Sequence, residues 1–230
     1  ASISRHFGED GEDAGAVETG QAVGTAPIEV IAARPIGASW LLEGLWRRLD
    51  IPAAITEVTG KRRFTTDVER VVFALVANRA IAPMSKLSAA EWASTDVVVP
   101  GLAAMDEDQA YRAMDLLVSA DAQARVQEAV FFAAANLLNL EVDLLFFDTT
   151  STYFERDTED NGPEALRCYG HSKDHRDDLP QIVIGLAVTR EGIPVRIWCW
   201  PGNTNDAEVL TQVRDDLRDW KLGRVITVVD

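Results

Sequence analysis

Two short apolar runs, each ending in an aspartate, constrain the fold more than any other feature of this chain. The first is Leu144–Phe147, followed by Asp148, and the second is Val225–Val229, followed by Asp230. A run of large apolar side chains that stops at a polar residue is typical of a buried strand. We therefore predict two buried strands that each deliver a carboxylate to their exposed end. Such paired carboxylates could bind divalent metal ions together, because Mg²⁺ prefers oxygen ligands.

The segment between the two aspartates predicts two further strands and a helix. Ile182–Val188 and Val195–Trp200 are typical strands, and the turn at residues 190–192 predicts an antiparallel hairpin between them. Residues 201–206 predict a turn and a helix cap, and the helix that follows carries an apolar stripe, Val209, Val213, Leu217 and Trp220. We expect Trp198 and Trp200 to share one face of their strand and to pack beneath this helix. The order β-(insertion)-β-β-α-β is that of a ribonuclease-H-like nuclease core.

The chain divides by composition into three parts. Residues 1–38 are rich in Gly, Ala and acidic residues and predict a flexible acidic lead-in. Residues 39–140 are predicted to be mostly helical, and residues 141–230 to form the N-terminal half of a ribonuclease-H-like catalytic domain. The predicted fold class is therefore α+β, a helical N-terminal region followed by a partial ribonuclease-H-like α/β domain.

Capping signals predict where three of the helices begin. Thr66 and Glu69 have the spacing of a capping box, in which two side chains satisfy free backbone amides. Asp106 with Gln109 predicts the start of another helix that runs to about residue 118, and Asp121 predicts the start of a third.

Apolar spacing predicts which faces of the helices are buried. Between Asp67 and about Arg79 we expect Arg70 to be exposed and one apolar stripe to be buried, namely Val68, Val71, Val72, Leu75 and Val76. An earlier helix is predicted from residue 39 to residue 49. All six tryptophans are expected to lie in the core.

Charge and cysteine content limit the possible function classes. The net charge of −15 argues against general nucleic-acid binding, so any nucleic-acid contact must use local basic patches. No apolar run approaches the ~18–20 residues of a membrane span, and the first residues do not resemble a secretory signal. Two cysteines exclude a disulfide scaffold and predict a reducing compartment.

Several motifs in a fixed order resemble bacterial insertion-sequence transposases of the DDE type, specifically the large subgroup with a ribonuclease-H-like core. The resemblance covers roughly residues 60–230, and the matching segments are Arg62–Ala82, Leu144–Phe154, Tyr169–Gln181, Leu186–Val195, Trp200–Asp206 and Val225–Asp230. It implies that Asp148 and Asp230 are the first and second catalytic acids and bind Mg²⁺, with Mn²⁺ as a possible substitute. The family's downstream catalytic Glu and its Tyr/Arg/Glu/Lys signature have no counterpart here, so we expect an inactive fragment.

The resemblance also implies partners and a location. In the complete enzyme, metal-dependent cleavage frees a 3′ hydroxyl at the element end, and this hydroxyl attacks target DNA. Expected partners are the element ends, the target DNA and a second copy of the protein, in the bacterial cytoplasm at the nucleoid and without a membrane. DNA-binding residues are expected in the helical region, around Arg70 and Lys86, and in two basic segments, Lys61, Arg62 and Arg63, and His171, Lys173, His175 and Arg176.

Other interpretations remain open from the sequence. Cys168, His171 and His175, with Cys199 elsewhere, could bind zinc, although the paired cysteines of a usual closed site are missing. The basic segments could be solvated surface without function. Asp148 could cap a turn or act as an aspartyl nucleophile. The chain could also bind DNA or a protein partner without catalysis.

Overall fold

The computed structural model describes residues 30, 32–60, 67–119, 122–220, 222 and 225–229. The chain divides into two compact units, Ala1–Ala33 and Arg34–Asp230, and every element below belongs to the second. Within the described residues there are seven helices, α1 (Gly37–Arg48), α2 (Ile51–Thr59), α3 (Val68–Ile81), α4 (Lys86–Thr95), α5 (Glu107–Ser119), α6 (Ala122–Leu138) and α7 (Asp206–Asp219). The same residues contain four strands, β1 (Leu144–Tyr153), β2 (Gln181–Thr189), β3 (Pro194–Pro201) and β4 (Ile226–Val229). The prediction of a mixed α+β class is confirmed.

Asp106 and Gln109 cap the start of α5, as the sequence predicts. The Asp106 amide donates to Gln109 Oε1 at 2.9 Å, and the Gln109 amide donates to Asp106 Oδ1 at 2.7 Å. At α3 the cap is Asp67, whose side chain accepts from the Arg70 amide at 3.2 Å. Glu69 does not act as a capping residue, because its carboxylate binds Trp46 and Arg70. Thr66 and Asp121 lie outside the described residues.

The buried side of α3 differs from the prediction. Arg70 is only 7% exposed, whereas Val76 is 46% exposed. The fully buried apolar residues of α3 are Val71, Phe73, Ala74 and Ala77, and Val68, Val72 and Leu75 are partly buried. The single-stripe prediction fails because α3 packs against α1, α4 and α5, which cover it from several directions.

Arg70 is buried because two carboxylates neutralise its guanidinium. Its Nη1 lies 2.6 Å from Glu43 Oε2 on α1, and its Nε lies 2.5 Å from Glu69 Oε2. Burial alone would lower the pKa of Arg70, but the hydrogen bonds to Glu69 and Glu43 raise it above its ordinary value. A charged group inside a protein requires such partners. Trp46 Nε1 completes the network by donating to Glu69 Oε1 at 2.5 Å.

Five of the six tryptophans lie in the core as predicted, and Trp40 does not. Its side chain is 69% exposed, because α1 buries only Ser39, Glu43 and Trp46. Helix α1 was expected from the spacing of its apolar residues, and that expectation is confirmed. The identity of its buried face is set by contact with α3, where the Trp46 and Phe73 rings meet edge to face at 5.3 Å.

The four described strands form one mixed sheet in the order β3-β2-β1-β4. Strand β2 pairs antiparallel with both β1 and β3, and β4 pairs parallel with β1. The predicted hairpin between β2 and β3 is confirmed, with Gly192 at a φ of +79° in its turn, a conformation that favours glycine. The predicted chain order of strands and helix is also confirmed.

One face of the sheet packs against α7. Leu145, Phe147 and Val183 contribute to this core with Val209 and Val213 of the helix. The Trp198 and Trp200 rings stack at 6.1 Å, and their indole groups donate to Asp216 and Gln212 of α7 at 2.8 and 2.9 Å. The prediction that both tryptophans lie beneath this helix is confirmed. Among the helices that the structure describes, none is long and apolar enough to cross a membrane.

Candidate active site

Asp148 lies within β1 and not at the end of that strand. The strand was predicted to stop at Phe147, but it continues to Tyr153 and pairs with β2 along this length. The β-branched and aromatic residues after Asp148 are compatible with strand structure, and pairing with β2 extends the strand through them. Alternation along the strand nevertheless turns the Asp148 side chain to the open face, where it is 77% exposed.

Strands β1 and β4 are paired in parallel through the residues that come immediately before the two aspartates. The described register runs from Leu144 opposite Ile226 to Phe147 opposite Val229. Asp148 and Asp230 are the next residues in the chain after that last pair. Asp230 itself lies outside the described residues, so the expectation that both carboxylates face one pocket stays a prediction.

Lys173 is the basic group beside Asp148. Its Nζ lies 3.8 Å from Asp148 Oδ1 and donates to the Thr149 carbonyl oxygen and, at 3.1 Å, to Thr149 Oγ1. Asp148 Oδ1 also accepts from the Thr149 amide at 2.7 Å. The 3.8 Å separation is too long for a hydrogen bond, so Lys173 acts on Asp148 as a neighbouring charge.

The segment that carries Lys173, residues 170–177, is called the lysine loop here, and it is tied to the sheet by polar contacts. The Lys173 amide donates to Ser151 Oγ of β1 at 3.0 Å. Gln181, which is completely buried, donates from Nε2 to the His171 carbonyl at 2.9 Å and to the Gly202 carbonyl at 3.0 Å. The lysine loop therefore has a defined position over the second half of β1.

Two glycines allow the lysine loop to approach the turn after β3. A methyl group on Gly170 would lie 2.0 Å from the Gly202 carbonyl oxygen. A methyl group on Gly202 would lie 2.2 Å from the Gln181 carbonyl oxygen and 2.4 Å from that of Cys168. Any larger residue would collide with backbone, so this contact requires glycine at both positions.

The other basic residues of the lysine loop are less closely tied to Asp148. His171 is 90% exposed, with its Nδ1 3.9 Å from Asp177 Oδ1. Arg176 donates to Asp178 at 2.8 and 2.9 Å and lies over the Tyr153 ring. The hydrogen bond to Asp178 raises the pKa of Arg176 and lowers that of the Asp178 carboxyl. His175 adopts a φ of +58°.

The expected basic patch on the helical region is partly wrong. Arg70 is buried and paired, so its guanidinium cannot contact DNA phosphates. Lys86 begins α4. Lys61, Arg62 and Arg63 lie outside the described residues, and their DNA-binding role stays a prediction.

The insertion between β1 and the lysine loop is held by an arginine–aspartate pair. Arg167 binds Asp160 through its side chain at 2.5 and 2.9 Å and through its amide at 3.1 Å. The hydrogen bond from the Arg167 side chain lowers the pKa of Asp160 to about 2. Tyr169 Oη donates to the Asp157 carbonyl at 2.9 Å and adds a second tie. These contacts order the segment that leads into the lysine loop.

The sequence interpretation missed the uncharged polar residues around Asp148. Thr149, Ser151 and Gln181 position the lysine loop, and Asn203 and Thr204 line a pocket together with Lys173 of that loop. The continuous run of hydroxyl residues Thr149–Thr152 and the run Gly202-Asn203-Thr204 were the signals available in the sequence. Both are common in ordinary strands and turns, so neither identifies a site by itself.

The donors present determine which metals suit this region. Asp148 provides exposed carboxylate oxygens, the ligand type that Mg²⁺ prefers. Within the described ranges, no group of three or more His, Cys, Asp and Glu residues is arranged to bind a metal ion. Cys168, His171, His175 and Cys199 all belong to those ranges and form no such group, so the zinc interpretation gains no support from the structure.

The chain was also compared with known proteins. It matches none of the protein-family models and none of the curated proteins searched.

Proposed function

We propose that the protein containing this chain is a DDE transposase of a bacterial insertion sequence, with a ribonuclease-H-like catalytic core. The observation that carries the proposal is the parallel pairing of Phe147 with Val229, the residues that precede Asp148 and Asp230. The β-β-β-α-β order and the sequence motifs support it as well. Two acids that come directly after a pair of opposed residues on neighbouring parallel strands are suited to binding the same metal ions.

In this proposal, Asp148 and Asp230 act as ligands and not as proton donors. An ionised carboxylate is the form that binds a cation, and Asp148 is exposed on the open face of the sheet, where a cation and a DNA strand could reach it. When bound there, Mg²⁺ supplies activation of the attacking hydroxyl and stabilisation of the leaving oxygen. Lys173 would remain beside Asp148 as a fixed positive charge that faces the substrate.

DNA and a second copy of the protein are the proposed partners. The element ends and the target would approach the open face of the sheet near Asp148 and the lysine loop. The helical region could add contacts for DNA or dimerisation. This assignment rests on the motifs, since the basic residues that the structure describes are mostly paired with acids.

A second candidate function is DNA or partner binding without catalysis. The position of Lys173 favours it, because the ammonium already balances the charge of Asp148 without a metal ion. In that case Asp148 would be a structural partner of Lys173.

A donor-plasmid assay separates the two functions. The coding sequence that contains this chain is expressed from its start codon to its stop codon, with a plasmid that carries the DNA flanking the gene on both sides. Asp148→Asn is compared with Asp143→Asn, a matched control whose exposed pair with Arg190 contributes little to stability.

We expect Mg²⁺-dependent cleavage at the element ends by the wild type and by Asp143→Asn, and none by Asp148→Asn. Undiminished cleavage by Asp148→Asn would exclude the proposed mechanism. Retention of end binding by all three proteins, with no cleavage by any of them, would favour the binding function.

A further inference from the structure

A pocket whose lining includes several polar side chains lies between the lysine loop and the turn after β3. Its volume is about 370 Å³, and its polar lining includes Thr150, Ser151, His171, Lys173, Asn203 and Thr204. None of the lining residues that the structure describes is acidic, although the chain contains 37 Asp and Glu and has a net charge of −15. In so acidic a chain, a pocket lined by a lysine, a histidine, hydroxyls and amides is suited to an anion.

Lys173 is held in place at this pocket before any ligand binds. Its amide is bound to Ser151 Oγ, and its ammonium is bound to both oxygens of Thr149. An ammonium group has three N–H donors, and the Thr149 oxygens accept from two of them. Within the part of the chain that the structure describes, no other acceptor is hydrogen-bonded to this ammonium, so its third donor remains for a ligand. Little side-chain entropy is lost on binding because the lysine is already ordered.

The pocket is also next to the Asp148 carboxylate. Lys173 is one of the residues that line the pocket, and its Nζ is 3.8 Å from Asp148 Oδ1. An anion in the pocket would therefore be attracted by Lys173 and repelled by Asp148. Any cation bound to Asp148, or removal of its charge, should strengthen anion binding. Binding at the pocket and at Asp148 should be coupled.

We propose that this pocket binds one phosphodiester group of a DNA strand, with the Lys173 ammonium as its main donor and the Asn203 amide and Thr204 hydroxyl as further donors. The inference rests on the proposed function for its choice of DNA over a free phosphate. It adds a strand-positioning site beside Asp148. A strand held here would be fixed next to the carboxylate that is proposed to bind metal.

The test uses the chain itself and a fluorescein-labelled oligonucleotide of about eight thymidines, a length within the usual range for single-strand sites. Anisotropy titrations in low salt compare the wild type with Lys173→Met, and Arg112→Met on α5, which removes an exposed positive charge far from the proposed site residues in sequence, is the control. Lys173→Met should weaken binding by roughly five- to tenfold. The slope of log affinity against log salt should also fall by about 0.7, the value for one single-strand phosphate contact.

A second set of titrations uses Asp148→Asn, with and without Mg²⁺. Without metal, this variant should bind the oligonucleotide roughly threefold or more tightly than the wild type, because the repelling charge is gone. Addition of Mg²⁺ should strengthen binding by the wild type and not by Asp148→Asn. Thermal melts verify that each variant is folded, and Asn203→Asp, which adds an acid to the pocket without truncating a side chain, should weaken binding as Lys173→Met does.

Equal binding by the wild type, Lys173→Met and Asn203→Asp would overturn the proposal. Competition by inorganic phosphate as effective as by unlabelled oligonucleotide, at equal phosphate concentration, would also overturn it and assign the pocket to free phosphate. These outcomes are independent of strand cleavage. Loss of the proposed transposase function would appear in the plasmid assay while oligonucleotide binding remained sensitive to Lys173.

Discussion

Arg70 of α3 and Glu43 of α1 form a buried ion pair, with 2.6 Å between Nη1 and Oε2 and less than a tenth of each side chain exposed. The two residues are 27 positions apart in the sequence, and their pair joins α1 to α3. Glu69 and the Pro100 carbonyl accept from the same guanidinium. The helical region is therefore organised around a charged group that the sequence pattern placed on the surface.

Removal of this guanidinium should strongly destabilise the protein. Arg70→Met leaves the carboxylates of Glu43 and Glu69 buried without their main partner, which typically costs ~3–5 kcal/mol. Arg79→Met, on the exposed side of the same helix, should change the free energy of unfolding by less than about 0.5 kcal/mol. Urea denaturation of the two variants measures both values. A cost for Arg70→Met no larger than that for Arg79→Met would contradict the buried network.

Stability should decrease in acid because of Glu43. Burial alone would raise the pKa of Glu43, but the hydrogen bonds from Arg70 and Arg47 outweigh it and lower the pKa below its ordinary value of 4.5. A carboxyl whose pKa is lower in the folded state contributes stability above its unfolded pKa, and that contribution is lost as the pH falls through the folded pKa.

Glu43→Gln is the corresponding test. It should be less stable than the wild type at neutral pH, and the difference should shrink as the pH falls below about 4.5. Glu57→Gln, an exposed position on α2, serves as the control and should follow the wild type throughout. A difference between Glu43→Gln and the wild type that stays constant down to about pH 3 would show that Glu43 does not contribute through its charge.

The corrected orientation of α3 predicts which of its apolar residues matter. Phe73→Ala removes a ring that is 1% exposed and should cost ~3–5 kcal/mol in the free energy of unfolding. Val76→Ala removes two methyl groups from a residue that is 46% exposed and should cost less than about 1 kcal/mol. Denaturant melts of both variants distinguish the observed face from the predicted stripe. The predicted stripe would be correct if Val76→Ala were as destabilising as Phe73→Ala.

The contact between the lysine loop and the turn after β3 should not tolerate a side chain at Gly202. Gly202→Ala places a methyl group against the Gln181 and Cys168 carbonyls, and such overpacking typically costs ~1–3 kcal/mol or more. Oligonucleotide binding should fall as well, because the pocket loses its shape. Gly44→Ala is the control, since a methyl group there meets nothing within 4 Å in the middle of α1.

Gly44→Ala should be neutral or stabilise the protein by up to about 1 kcal/mol, because alanine favours helices. Thermal melts of the two glycine variants give the comparison. A Gly202→Ala protein with unchanged melting temperature and unchanged oligonucleotide binding would show that the backbone contact is dispensable.

The sequence by itself determined the order along the chain of the four strands and of α7, and the start of α5. The hairpin turn at Gly192, the stripe of α7 and the capping box of Asp106 and Gln109 depend on residues a few positions apart, so local spacing was sufficient to predict them. The shared face of Trp198 and Trp200 follows from alternation along one strand.

Only the tertiary structure decided which faces are buried and which side chains meet. The stripe on α3 failed as a prediction because hydrophobic periodicity assumes one packing surface, whereas α3 contacts several helices and its arginine is neutralised by a distant glutamate. Strand β1 extends past Asp148 because β2 offers partners along its whole length. Lys173 reaches Thr149 across 24 residues of chain, and this contact depends on glycines at positions 170 and 202 that let two backbones touch. Such contacts are set by the three-dimensional match of distant surfaces, which local spacing does not encode.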